Sequence, residues 1–293
     1  MLSVKLAKNI GFCSGVRRAV DIVEETLIQS KSKVYSLGPV IHNPEVIKRL
    51  EKKNLCIVNS LDNLEGSSTL ILPSHGSSRK ILNAAKKKNL RLIDVTCPYV
   101  SLVQKICVLL HKQGLEVIIV GDRKHPEIKA LLDLAPGAYT IDKPEDIKEN
   151  IFSYKKIGII SQTTQTKDVF FAVVSEILQK NPKVLEVHVY NTICLDTLHR
   201  QDEAKKLAGS VDALLIIGSS LSANTKRLLC IGRKINKRTY LVENEKANLD
   251  KILKNANKIG LINGASTPQW LVKEIVKKIK EVAEKLLKCH SDL

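Results

Sequence analysis

Residues 185–208 run LEVHVYNTICLDTLHRQDEAKKLA. The first five alternate apolar and polar side chains and include two β-branched valines, which predicts a strand. Asn191 and Thr192 make a polar turn, Cys194 follows, and from about 198 to 208 the apolar spacing becomes helical. The same order of strand, polar turn, Cys and helix recurs from Val4 through Cys13 into Arg17, and from Leu92 through Cys97 into Val103. The cysteines are 84 and 97 residues apart. The chain therefore reads as three units of about 90 residues, each placing one Cys in the same local context.

The rhythm holds between these segments. Strands are expected at 3–6, 33–37, 69–72, 91–94, 116–120, 156–160, 185–189, 213–217, 238–242 and 258–262. Helices are expected at about 15–29, 99–113, 198–208 and 269–288, the last with Leu271, Ile275, Ile279, Val282 and Leu286 on one face. Strands alternating with helices predict an α/β fold with mostly parallel sheets. The expected division is three similar α/β domains, 14–96, 97–193 and 194–293, the third completed by the N-terminal strand segment 1–13.

Composition narrows the function. Of 293 residues, 44% are hydrophobic and 26% charged, the balance of a globular chain rather than a disordered or collagen-like one. Apolar runs such as 213–217 fall far short of the roughly 18 residues that a membrane helix needs. Lys5, Lys8 and Asn9 interrupt the N-terminus before a signal-peptide core can form, so a cytoplasmic protein with no membrane association is expected. The net charge is +17, with only six Tyr, four Phe and one Trp. That is poor material for base stacking. No nucleic-acid partner is expected, and the lysines read as solvated surface or as a face for an acidic partner.

Seven cysteines without a C-x-x-C pair disfavour zinc fingers and thioredoxin chemistry. Cys56 and Cys107 sit in apolar runs and read as small buried hydrophobes. Cys13, Cys97 and Cys194 sit among Gly, Asn, Thr and Pro. Three repeat-related thiolates suit a soft metal with one open coordination position, either a [4Fe–4S] cluster or a zinc site.

Two further loops per unit follow strand ends, where ligands of parallel sheets bind. They carry His42, His75 and His125, the hydroxyl and amide residues Thr163, Ser222, Asn224 and Ser266, and the twin glutamates Glu45 and Glu127. Pro44, Pro98, Pro126 and Pro268 stand where helices begin, with Asn43 and Thr267 as expected N-caps. Helix N-termini carry partial positive charge and suit an anionic ligand such as a phosphate or diphosphate. Each small polar residue could equally be a turn former. Glu127 and Glu45 are indistinguishable in local context.

Taken together, GFCSGVRRAV (11–20), GPVIHNPEV (38–46), PSHGSS (73–78), DVTCPYV (94–100), HPEI (125–128), SQTT (161–164), NTICLDTLHRQ (191–201), SANTKRL (222–228) and GASTPQWLV (264–272) resemble one family, the 4-hydroxy-3-methylbut-2-enyl diphosphate reductases of the methylerythritol-phosphate route to isoprenoids. The resemblance implies a trefoil of three α/β domains around a central iron–sulfur site. It implies one [4Fe–4S] cluster per chain on Cys13, Cys97 and Cys194, and an apical iron that takes the substrate hydroxyl. Substrate contacts would come from His42, His75, His125, Thr163, Ser222, Ala223, Asn224 and Ser266. Glu127 would supply protons, with His125 and Thr163 as its catalytic neighbours. A ferredoxin- or flavodoxin-like protein would donate electrons, and the enzyme is expected to act as a monomer. Two departures stand out. Ala223 replaces the second of a usual pair of serines, and Lys124 replaces the usual Gly before His-Pro-Glu. A zinc hydrolase using the same thiols, or a basic nucleic-acid binder, would be the alternatives. A brown protein with stoichiometric iron and sulfide separates the reductase from both.

Overall fold

A computed structural model describes residues 2–254 and 256–291, with side chains up to residue 285. Three four-stranded sheets are present, and every strand pairing within them is parallel. The chain divides into two compact units. One comprises residues 1–14, 42–46 and 195–293, the other 15–41 and 47–194.

The first unit holds β1 (Ser3–Leu6), β10 (Ala213–Ile217), β11 (Thr239–Val242) and β12 (Lys258–Asn263) in the order β1-β12-β10-β11. The continuous apolar run of β10 is the mark of a strand buried on both faces. Ala213, Leu215 and Ile217 pack with Leu271, Val272, Ile275 and Ile279 of α10 (Gln269–Ser291). The alternate residues Leu214 and Ile216 pack with Ala204 and Leu207 of α7 (Leu195–Ala208) and Leu228 of α8 (Ala223–Ile235). Leu286, Cys289 and His290 lie outside the described side chains.

The second unit holds two sheets. One has the order β3-β2-β4-β5, with β2 (Val34–Leu37), β3 (Leu55–Val58), β4 (Thr69–Leu72) and β5 (Arg91–Asp94). The other has the order β7-β6-β8-β9, with β6 (Glu116–Val120), β7 (Tyr139–Ile141), β8 (Lys156–Ser161) and β9 (Glu186–Val189). Helices α1 (Ser14–Gln29), α4 (Pro98–Lys112) and α5 (Pro126–Leu134) belong here. Cys107, Leu110, Ile128 and Leu131 pack on Val117, Ile119 and Ile160.

The ten expected strands are all present within one residue at each end. β3 and β7 were not expected. Both are edge strands, and β7 has only three residues. The helix expected from 198 begins instead at Leu195, directly after Cys194. Pro44, Pro98 and Pro126 open α2 (Pro44–Glu51), α4 and α5 as expected. Thr267 is different: its hydroxyl donates to the carbonyl of Ile217 at 3.1 Å rather than capping α10.

Candidate active site

The three sheets repeat one plan. The strand leading to a cysteine lies at a sheet edge in each: β1 before Cys13, β5 before Cys97, β9 before Cys194. The neighbouring strand is β12, β4 or β8. In every case the cysteine N–H donates to a carbonyl in the loop that leaves this neighbour. The pairs are Cys13 to Ala265 (3.0 Å), Cys97 to Ser74 (2.9 Å) and Cys194 to Thr163 (2.9 Å). Each acceptor is the second residue past the strand end, and α1, α4 and α7 begin immediately after the cysteines. All three thiols are half-buried and none is in a disulfide. Gly15 clears space for one of them, because a Cβ there would lie 2.5 Å from the Cys97 Sγ.

The remaining described cysteines behave otherwise. Cys107 is fully buried, burial pushes its thiol up to about 12, and Sγ faces the Leu131 carbonyl at 3.7 Å. Cys56, expected to be buried, is half-buried on edge strand β3, and Cys230 is exposed on α8.

Glu127 is 2% exposed at the start of α5. Its Oε1 accepts the Thr163 N–H and its Oε2 accepts the Thr163 hydroxyl, both at 2.8 Å. His125 caps α5, its Nδ1 accepting the Glu127 N–H at 3.2 Å. Because Thr163 also accepts the Cys194 N–H through its carbonyl, one residue joins the carboxyl to a cysteine. Gln162 braces both loops: Oε1 accepts from the Asp122 N–H at 3.0 Å and Nε2 donates to Thr164 Oγ1 at 2.9 Å. A Cβ on Gly121 would lie 2.7 Å from the Gln162 Cβ, so the close approach needs glycine there. Glu45 shares the local cap, its N–H bonding Asn43 Oδ1 at 3.1 Å. Its surroundings differ, since it lines a surface cavity with Glu245, Trp270 and Glu274. Burial against Thr163 is what separates the twins. His75, half-buried, follows Ser74, whose N–H and hydroxyl both bond the Val40 carbonyl.

The first unit gathers a second set. Asn43 is buried; its amide caps α2 and its Nδ2 donates to the Ser266 carbonyl at 2.9 Å. The Ser266 hydroxyl donates to the His42 carbonyl at 3.4 Å. Burial, and then the Lys226 charge, hold the His42 ring below its ordinary value, which favours the neutral form. Ser222 caps α8, its Oγ accepting the Thr225 N–H at 3.3 Å. Ala223 is the first helical residue, and Asn224 is 2% exposed with neither amide atom hydrogen-bonded. A buried amide with no hydrogen-bond partner in the protein, at a helix N-terminus, is a ready donor for an anion.

The sequence from residue 4 to 280 matches the family model described as LytB protein. The chain belongs to the LytB family. A relative from Geobacter sp. (strain M21), named 4-hydroxy-3-methylbut-2-enyl diphosphate reductase, is 40% identical over 282 residues, covering 96% of this chain and 98% of that one. One of the same name from Aquifex aeolicus is 38% identical over 289 residues, covering 97% and 98%. A solved structure of (E)-4-hydroxy-3-methyl-but-2-enyl diphosphate reductase, described as the terminal enzyme of the non-mevalonate pathway, aligns with a TM-score of 0.69 at 38% identity, covering 96% of this chain and 100% of that one. The Plasmodium falciparum E-1-hydroxy-2-methyl-but-2-enyl-4-diphosphate reductase aligns with a TM-score of 0.87 at 30% identity, covering 94% and 87%. These LytB relatives are oxidoreductases by name.

Within this LytB chain the expected site residues fall into two sets. Cys13, His42, Ser222, Ala223, Asn224 and Ser266 belong to the first unit; His75, Cys97, His125, Glu127, Thr163 and Cys194 belong to the second. Among the described residues no three His, Cys, Asp or Glu side chains are grouped as a formed metal site. The donor chemistry nonetheless fits an iron–sulfur cluster. Three thiols outside any disulfide recur at one topological position with the same backbone anchor, and Gly15 leaves room at one of them. Sequence reading missed Asn43 as a bridge to Ser266, Gln162 as a brace, and the buried Arg200.

Proposed function

We propose that this protein reduces (E)-4-hydroxy-3-methylbut-2-enyl diphosphate to isopentenyl and dimethylallyl diphosphate. Two electrons and two protons enter, the C–O bond to the terminal hydroxyl breaks, and water leaves. Cys13, Cys97 and Cys194 would hold one [4Fe–4S] cluster per chain. When bound, it would supply the electrons and an open iron for the substrate hydroxyl. The observation that carries the reading for this chain is the buried Glu127 carboxyl, tied by Thr163 to the Cys194 loop.

Hydroxide is a poor leaving group and water a good one, so a proton donor must stand inside the site. Glu127 is suited to this role. With a proton on Oε2, the carboxyl donates to Thr163 Oγ1 in place of the bond it now accepts. The threonine hydroxyl is then able to turn its own proton toward substrate. His125 orients the carboxyl's residue through the N–H cap.

The diphosphate would be contacted by His42, His75, Ser222, Asn224 and Ser266. Ser222 and the unpaired amide of Asn224 stand at the start of α8, and Ser266 and His42 are joined across two loops. A neutral His42 donates one N–H to a phosphate oxygen without needing a second proton. The +17 charge suits an acidic ferredoxin- or flavodoxin-like electron donor.

The test is anaerobic reconstitution with iron and sulfide, followed by turnover with reduced methyl viologen. Both diphosphate products should form, in a brown protein binding four irons per chain. A colourless protein that holds zinc and leaves the substrate unchanged would overturn the reading.

A further inference from the structure

Arg200 has no part in the chemistry above, yet it heads the fully buried side chains by volume, at 1% exposure. Arginine stays charged in proteins, and a buried charge without partners is strongly unfavourable. The destination of its donors is therefore informative. Nε donates to Asp196 Oδ2, one turn earlier on α7, at 2.7 Å. Nη1 donates to the carbonyls of Asn9 (3.0 Å) and Asn263 (2.9 Å), and Nη2 to that of Gly11 (3.1 Å). Two acceptors thus lie in the loop that ends at Cys13, and the third ends β12, where the loop bearing Ala265 and Ser266 begins.

Other groups close the same junction. Asn263 Oδ1 accepts the Gly11 N–H at 3.0 Å, while its Nδ2 donates to the carbonyls of Gly11 (3.0 Å) and Gly264 (2.7 Å). Glu203, further along α7, accepts the Lys8 N–H. Gly11 has φ +97°, and a Cβ there would meet the Gln269 Cβ at 3.3 Å. The loop from 7 to 13 has no regular structure, so its buried polar groups are satisfied from outside it. The guanidinium serves a carboxylate and three carbonyls at once, whereas an ammonium, with three donors on one atom, would leave at least one of the four without its bond.

We infer that Arg200 is a positioning residue that fixes the Cys13 loop against the loop bearing Ser266. The link runs through the Cys13 N–H bond to Ala265, which lies on the same junction. It keeps the thiol and the Ser266 hydroxyl at one spacing. The significance for a cluster rests on the proposed role of Cys13, whereas the ordering of the loop does not.

The test uses the full-length chain, with and without reconstituted iron and sulfide, as Arg200→Lys and as Asp196→Asn. In the metal-free chain, iodoacetamide labelling of each cysteine is followed by mass spectrometry. Exposed Cys230 and buried Cys107 serve as fast and slow references. Loss of the clamp should let the loop open locally, raising the Cys13 rate about tenfold in Arg200→Lys and about threefold in Asp196→Asn. Cys97 and Cys194 should keep their rates, and the reconstituted chain should retain less than half its iron on gel filtration. An unchanged Cys13 rate in a folded variant, or an equal rise at all three cysteines, would overturn the inference. Should Arg200→Lys fail to fold, Asp196→Asn decides on the same criterion. A labile Cys13 with iron fully retained would sever the link to the cluster and with it the assignment of Cys13 as a ligand.

Discussion

Thr163 donates its backbone N–H and its hydroxyl to opposite oxygens of the Glu127 carboxylate, each at 2.8 Å. A carboxyl gripped in this way is fixed in orientation, and a proton on Oε2 faces the Thr163 hydroxyl. Glu127→Gln keeps shape and hydrogen-bonding capacity but removes the acid. It should bind the cluster and substrate normally while kcat falls by roughly 10²–10⁴, the usual loss for a missing general acid. Glu45→Gln should leave kcat near normal, because its half-buried residue lines a surface cavity with Glu245, Trp270 and Glu274 and is not set beside the Cys194 loop. Near-normal turnover by a cluster-loaded Glu127→Gln would remove Glu127 from the proton path.

The cysteines offer a prediction with internal controls. Cys13→Ser, Cys97→Ser and Cys194→Ser should each lose most of the bound iron, whereas Cys56→Ser, Cys107→Ser and Cys230→Ser should keep it. Gly15→Ala should behave like a ligand variant although it removes no ligand, since its new Cβ would stand 2.5 Å from the Cys97 Sγ. Iron content per folded chain is the measurement. A Gly15→Ala protein with full iron would mean that Cys97 can move aside at no cost.

What the sequence disclosed and what it hid follow from how local each signal is. The Cys repeat was legible because strand end, cysteine and helix start are contiguous, and its structural counterpart is the same N–H bond made three times. β7 was hidden because three residues make no sustained pattern, whereas the apolar run of β3 reads in sequence only as the buried setting of Cys56. Thr267 beside Pro268 has a cap's local signature, but its hydroxyl answers a carbonyl fifty residues away. Arg200 lies at a position where charge normally faces water, so only tertiary contacts show it buried. The tie between Glu45 and Glu127 could not be broken by local sequence, because the two share their cap chemistry and differ only in what lies across the fold.

Ala223 heads α8 between buried Ser222 and buried Asn224. A hydroxyl there would add one bond to a diphosphate oxygen. Hydrogen bonds to charged groups contribute roughly 1.5–3 kcal/mol, so Ala223→Ser should lower KM by about one to two decades with kcat little changed. An unchanged KM would show that a backbone N–H of α8 already serves that oxygen.

His42 gives a pH dependence whose sign is fixed by its surroundings. Burial first, and then the Lys226 charge, lower its pKa from the ordinary 6.5. Between the lowered value and 6.5 the unfolded chain binds a proton that the folded chain refuses. Stability therefore rises with pH through that window, is fully present above 6.5, and is lost as the pH falls below it. Lys226→Gln removes the smaller cause and leaves burial in place. The His42 midpoint, followed by NMR of the ring protons, should move up without reaching 6.5, and the window over which stability rises should narrow from its lower end by the same amount while its upper end stays at 6.5. If the neutral ring is what receives the diphosphate, KM in the wild type should be flat from pH 6.5 to 8. A KM that falls steeply on acidification from pH 8 to 6.5 would instead mean that a protonated His42 binds the anion, and the Lys226→Gln protein would then bind it more tightly than the wild type across the same range.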